Sequence, residues 1–202
     1  MARPRSFDED TVIDAAMIAF WQTGFDDTPI NALEQATGLK RISLYNAFGD
    51  KQGLFLAALD RYHLGATEVY DGMVAKGGLD EIQQLFTAMS TKTEDGSPAN
   101  AGCLMVNTVL DVRRAPDIVK ERIANYRAML RNAFVSALRN ARDDGEMVAD
   151  DALIEARATY LLGLLWGALA MVRVEGRTEA AKDVAIVGNA AIDQWRAAAP
   201  TP

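Results

Sequence analysis

"GLKRISLYNAFGDK", residues 38–51, decides how the rest of this chain is read. A glycine opens it and Phe48-Gly49-Asp50 closes it. Between them Lys40, Arg41, Ser43, Tyr45 and Asn46 crowd one short segment of a chain whose formal net charge is −7. Leu44 and Phe48 stand four apart, on one face of a helix predicted over about 41–47, so they point inward. Arg41, Ile42, Ser43, Tyr45 and Asn46 are left on or near the outer side.

Upstream, Thr28-Pro29 opens a helix of about eight residues, with Thr28 as its cap and Pro29 in its first turn. Ile30, Leu33 and Ala36 or Thr37 face inward before Gly38 ends it. Two short helices joined by a glycine-containing turn over residues 30–47 have the length and spacing of a helix-turn-helix, whose second helix enters the major groove while the first crosses the backbone. The outward side chains suit such a role, with Arg for guanine edges or phosphate, Asn for adenine, Ile for a thymine methyl, and Ser and Tyr for phosphate oxygens. A solvated corner of any helical bundle would present the same short polar helix, and charge does not separate the two readings. Residues 1–51 hold five lysines and arginines against eight acids, net −3. Binding to DNA therefore requires these few cations to share one face.

The remainder of the chain is helical in period almost throughout. A first helix is expected over about 8–23, from Val12, Ala16, Phe20 and Ile13, Met17, stopping at Gly24. Asp50 caps a long fourth helix carrying Leu54, Phe55, Ala58, Leu59 and Tyr62, which fades at Lys76-Gly77-Gly78. A fifth covers about 79–91, "TKTEDGSPANAG" (91–102) is loop, and a short sixth runs from about Cys103 to Val112. Pro116 starts a seventh that ends near 143, and an eighth (about 151–174) and ninth (about 178–198) bracket Gly176. Neither strand alternation nor internal repeats occur. The expected fold is all-α: a three-helix head, residues 1–52, joined through the long fourth helix to a bundle, residues 53–202.

Composition narrows the function. Half of the 202 residues are apolar, enough for a real core. The most apolar stretch, Tyr160–Val174, reads as too short to cross a membrane, with Arg157 before it and Arg173 near its end. "MARPRSFDED" (1–10) lacks the apolar segment of a secretory signal, so a cytoplasmic location is expected. One cysteine, Cys103, and one histidine, His63, allow no internal disulfide and no His-rich metal site. With no glycine-rich phosphate loop and no catalytic constellation, neither an enzyme nor a cofactor is expected. Asp143-Asp144 and Asp150-Asp151 read as turn and cap residues.

The stretch Phe7–Tyr62, including "AFWQTGFDDTPINALEQATGLKRISLYNAFGDKQGLFLAALDRY", closely resembles the N-terminal domain of TetR-family transcriptional regulators. The resemblance is carried by Gly24-Phe25, Thr28, Ala36-Thr37-Gly38-Leu39, Ser43-Leu44-Tyr45, Phe48 and Lys51, and by "GCLMVNT" (102–108), which looks like an element seen in a subset of members. It implies that Thr28 and Tyr45 contact phosphate, that Arg41, Ile42 and Ser43 face bases, and that Lys51 holds the backbone. Lys40 departs from a frequent Ser cap, adding a phosphate contact while weakening the cap by about 1 kcal/mol at most. Ile42 stands where a small residue is frequent, so the target sequence cannot be inferred from relatives. Arg3 and Arg5 could reach the minor groove as an arm or form an untethered basic tail.

The resemblance further implies a homodimer on double-stranded operator DNA, with an unidentified small-molecule inducer held by the bundle. The dimer surface is expected on helices eight and nine. Leu161, Leu162, Leu164, Leu165, Trp166, Leu169 and Met171 make the eighth apolar all round, and Ala181, Ala185, Ile186, Ala190 and Trp195 suit a close contact from the ninth. Candidate cavity residues are Tyr62, Met73, Leu85, Phe86, Met89, Cys103, Met105, Val106, Tyr126, Met129, Leu130, Tyr160 and Trp166; methionines and aromatics suit an apolar or aromatic ligand. Cys103, opening a helix, would have its thiolate favoured by the helix dipole and could sense oxidants or electrophiles, or else be a small buried residue. The function expected is a ligand-responsive repressor on a palindromic operator; the alternative is a small-molecule-binding helical protein that has lost DNA affinity.

Overall fold

The computed structural model describes residues 7–109 and 115–197, apart from the side chain of Met73. Arg3, Arg5, Met73 as a cavity residue, and the expected ends of the sixth and ninth helices at 112 and 198 lie outside the described residues.

The head is built on α1 (Glu9–Thr23), whose Val12, Ala16 and Phe20 recur every fourth residue and are all buried. It packs along α4 (Lys51–Val69) through Leu54, Phe55, Ala58 and Leu59, with Phe20 edge-on to Phe55 at 5.0 Å. Across them lie α2 (Ile30–Thr37) and α3 (Arg41–Phe48), each anchored by one buried leucine, Leu33 and Leu44. Asp50 caps α4 in keeping with the sequence, its Oδ1 accepting from the Gly53 N–H at 2.8 Å. The cap of α2 does not follow the sequence reading. Pro29 holds that position, while Thr28 is 1% exposed and its hydroxyl donates to the Gly24 carbonyl. A capping hydroxyl must reach forward to the helix; this one reaches back and closes the preceding turn.

The fourth helix also ends differently. After Val69 the chain makes a π-helical turn, Tyr70–Val74, in which the Ala75 N–H reaches the Tyr70 carbonyl at 2.7 Å. The bundle continues with α5 (Leu79–Met89), a 3-10 turn at Pro98–Ala101, α6 (Leu104–Val109), α7 (Asp117–Asp143), α8 (Asp151–Glu175), a second 3-10 turn at Thr178–Ala181 and α9 (Lys182–Asp193). Its core is where α5, α7 and α8 meet, with Phe86 lying flat against Phe134 at 6.5 Å. The ninth helix is shorter than its apolar spacing suggests. After Asp193 the chain turns out of the helix, Arg196 bridges to Met147, and its guanidinium engages Asp80 and Gln83 of α5.

By length and composition α8 meets the measure of a membrane-crossing helix, with a mean hydropathy of 1.3, which corrects the reading of its apolar stretch as too short. It lies between α7, α9 and the 3-10 turns, and buries Ile154, Ala158, Leu161, Leu162, Leu165, Ala168 and Val172 among them. The helix is thus a core element with one uncovered side.

Candidate nucleic-acid interface and effector cleft

Burying Leu44 turns the opposite face of α3 outward. Lys40, Arg41 and Asn46 are exposed, Ile42 is 75% exposed, and Ser43 and Tyr45 are half-buried at its flanks. The Arg41 guanidinium lies over the Tyr45 ring at 5.0 Å, so cation and aromatic share one patch. Lys51 sits off this face, its Nζ over the Phe25 ring at 4.5 Å and 3.5 Å from the Asp26 carbonyl. It ties the α1–α2 turn to α4. Thr28, whose hydroxyl is spent on Gly24, is withdrawn from the set of phosphate-contacting side chains: a correction to the role implied by resemblance.

The missing Ser cap of α3 is replaced from a distance. Glu34, on α2, accepts the Arg41 N–H through Oε1 at 2.7 Å, placing a carboxylate at the positive end of α3. No cap motif contains a residue seven positions upstream, so no local pattern of residues announces this one. Glu34→Ala is expected to cost about 1 kcal/mol. In a chain of this size that lowers the melting temperature by about 2–4 °C. Glu34→Gln keeps an acceptor and should recover most of the loss; equal melting of wild type and Glu34→Ala would show that the cap carries no weight.

The head is clasped to the bundle at the end of α1. Trp21 Nε1 donates to the Gly102 carbonyl at 3.0 Å, and Arg173 on α8 donates to the carbonyls of Gln22 at 2.7 Å and Trp21 at 3.3 Å. A cation on the last carbonyls of a helix also meets the negative end of its dipole. Gly102 has φ +76°, and a Cβ there would lie 2.6 Å from the Leu169 carbonyl oxygen, so the close passage past α8 of the chain between the 3-10 turn and α6 requires glycine. Farther along α1, Asp14 receives Arg61 of α4 in a two-pronged pair at 2.6 and 2.9 Å.

Between these ties opens a cleft of about 520 Å3, walled by Met17 and Trp21 of α1, residues of α4 from Arg61 to Val69 with Tyr70 beyond it, Tyr126 of α7 and Leu169 of α8. Trp21 stands edge-on to Tyr62 at 4.9 Å, and Tyr62 lies 6.0 Å from Tyr126. Burial, reinforced by the nearby Cys103, pushes the Tyr62, Tyr70 and Tyr126 phenols well above their ordinary value. Burial thus favours the neutral phenol at each. No group of His, Cys, Asp and Glu suited to a metal occurs among the described residues.

Of the expected cavity residues, Tyr62 and Tyr126 line this cleft. The other described ones lie elsewhere. Phe86, Leu130 and Met105 are fully buried core, Val106 is buried beside them, and Leu85, Met89 and Met129 are half-buried against the same packing. Trp166 is half-buried with its Nε1 unpartnered, and Tyr160 is 45% exposed, edge-on to Trp195 on the outer side of α8. Cys103 is 1% exposed with Sγ 3.6 Å from Tyr126 Oη, and α6 has only six residues. Burial removes the accessibility that a reactive thiol needs. The sequence reading missed Trp21 and Met17 because it looked for the cavity within the bundle alone, whereas α1 forms one wall.

The uncovered side of α8 is a strip spaced three and four apart: Ala156, Tyr160, Gly163, Gly167, Met171 and Val174, continued on α9 by Ile186, Val187 and Ala190. Ala181 and Ala185, expected on this surface, are instead buried within the chain's own packing, and Trp195 is half-buried beneath the Arg157 guanidinium at 4.6 Å. Gly188 lets α9 approach α8, since a Cβ there would lie 2.6 Å from Leu164 Cδ2.

Comparison with known proteins places this arrangement. Residues 12–58 match the family model described as bacterial regulatory proteins, tetR family, and residues 78–186 match the tetracyclin repressor-like C-terminal domain. The HTH-type transcriptional regulator YezE of Bacillus subtilis, itself uncharacterized, is 30% identical over 164 residues, covering 80% of this chain and 84% of that one. A TetR-family regulator from Cytophaga hutchinsonii superposes with a TM-score of 0.83 at 18% identity, covering 98% of this chain and all of the other. A cysteine mutant of the TetR-family regulator CifR, solved with 26-bp double-strand operator DNA, superposes with a TM-score of 0.76 at 28% identity, covering 96% of this chain and 100% of that one.

Proposed function

The chain belongs to the TetR family of bacterial transcriptional regulators, and from that premise we propose that it is a ligand-responsive repressor. It binds a two-fold symmetric operator as a homodimer, acts in the cytoplasm, and takes its effector in the cleft between α1 and the bundle. The observation that carries the DNA reading is the α3 face: Arg41, Ile42 and Asn46 stand exposed side by side on a helix whose other side is buried. Arg41 and Asn46 can read base edges, Ile42 can meet a thymine methyl, and Lys40, Ser43 and Tyr45 are at hand for phosphates. A single exposed apolar residue is ordinary by itself; Ile42, 75% exposed, takes its meaning from sharing this face with Arg41 and Asn46.

One helix-turn-helix offers few contacts, so two are needed, about 34–36 Å or a multiple apart along the duplex. The α8–α9 strip supplies a self-complementary surface for pairing: glycines and alanines allow close approach, and Met171, Val174, Ile186 and Val187 fill it. The head, residues 1–52, shares α4 with the bundle, and α1 is clasped to α8. An effector seated between α1 and α4 therefore changes how the head sits on the dimerisation helix. Coupling of about 1–3 kcal/mol would weaken operator binding by about 5- to 150-fold.

The test is selection of bound duplexes from a randomised pool, followed by titration of the enriched sequence against salt and sedimentation of the free protein. A two-fold symmetric site, affinity falling steeply with salt, and a dimer at micromolar concentration are expected. No enriched duplex would leave a ligand-binding protein without DNA affinity.

A further inference from the structure

The cleft also has a charge character, and it points to a class of ligand. Its floor is aromatic, built from Trp21, Tyr62, Tyr70 and Tyr126. Its rim is apolar and open to solvent, with Leu64 58% and Val69 40% exposed. Among the described residues two charged side chains line it, Arg61 and Glu68. Arg61 is committed to Asp14 through both prongs of its guanidinium, and that pair leaves no net charge at the wall. Glu68 is exposed and has no hydrogen bond or salt bridge among the described residues. Among the described residues Arg61, Asp14 and Glu68 together leave one net negative charge at the cleft, the Arg61 guanidinium being bonded to Asp14 and also within the field of Glu68, in a chain of net charge −7.

An anionic ligand would meet no free cation among the described residues and would approach Glu68 at a cost. A cation meets a carboxylate, neutral phenol oxygens able to accept hydrogen bonds, and the negative faces of aromatic rings. A small hydrophilic cation would gain little from Met17, Leu64, Val69 and Leu169. We propose that the cleft selects lipophilic organic cations: an apolar, aromatic body against the tyrosine and tryptophan floor, with its positive centre toward Glu68. This rests on the reading of the cleft as the effector site.

Two ions of nearly equal size, shape and apolarity but opposite charge separate charge from greasiness: tetraphenylphosphonium and tetraphenylborate. Calorimetric titration of the full-length protein should show the phosphonium binding at least about tenfold more tightly than the borate. Glu68→Gln should weaken phosphonium binding by about fivefold and leave borate binding the same or stronger. Gly65 supplies a variant that fills the cleft without disturbing the fold, because it faces the cleft from α4 and a Cβ there meets nothing within 4 Å. Gly65→Phe should remove phosphonium binding while the helix gains from losing a glycine. Borate binding as tightly as phosphonium, or phosphonium binding indifferent to both substitutions, would overturn the proposal. Whether bound phosphonium releases operator DNA is read separately, so a cleft that selects cations without affecting DNA would fault the effector reading alone.

Discussion

Gly53→Ala is expected to abolish operator binding, by more than about a hundredfold, in a chain whose bundle remains folded. An alanine inside a helix ordinarily stabilises it by about 1 kcal/mol relative to glycine. Gly53, in the first turn of α4, reverses the sign because a Cβ there would fall within the van der Waals shell of the Phe48 carbonyl oxygen, with the Phe48 carbonyl carbon 3.1 Å away. The obstruction is backbone at the end of α3, not the tip of a side chain, so it cannot rotate aside. Either α3 lifts from α4 or the Asp50 cap on the Gly53 N–H breaks. Both displace the face that carries Arg41, Ile42 and Asn46. Gly65, in the same helix, is the internal control: nothing lies within 4 Å of its Cβ, and Gly65→Ala should melt at or above the wild-type temperature and keep its affinity. Titration of the selected operator with both variants decides the matter. Wild-type affinity in Gly53→Ala would mean that α3 does not rest on α4 as closely as described.

The difference between these glycines also marks what the sequence could and could not convey. The helix-turn-helix was legible because it is local: Leu33 and Leu44 sit at helical spacing about one turn glycine, and burying them fixes which side chains point out. The Asp50 cap was legible for the same reason, its partner lying three residues on. Thr28 misled because a hydroxyl before a proline suits a cap and a buried turn alike, and only the path of the preceding chain selects between them. The cleft was the least legible. Trp21 meets Gly102 across 81 positions and Arg173 meets Gln22 across 151, and periodicity contains no information at such separations. Tyr160 and Phe86 were reasonable cavity residues by type, yet α8 turns one outward and α5 turns the other into the core.

Arg173→Ala is expected to relax the discrimination among operators of different half-site spacing. Arg173 lies in the last turn of α8, and its two hydrogen bonds fix the end of α1 to the helix that carries the proposed dimer surface. In such a dimer α8 is the common frame, and the separation of the two α3 helices depends on how firmly each head is held to it. A charged donor on a carbonyl contributes about 1.5–3 kcal/mol. Its loss leaves α1 held at this end by the Trp21–Gly102 bond, and the head gains freedom to swing. Affinity for the selected operator should fall by about tenfold, since the head must now be ordered on binding. Operators with one base pair inserted or removed between half-sites should lose far less in the variant than in the wild type, because a looser head can reach either spacing. Trp21→Phe, which keeps a ring against Tyr62 but removes the donor to Gly102, should shift the same ratio in the same direction by a smaller factor. A general loss of stability would lower affinity for every spacing equally. The ratio between spacings therefore tests the clasp itself, and an unchanged ratio in Arg173→Ala would assign the positioning of the heads to α4 alone.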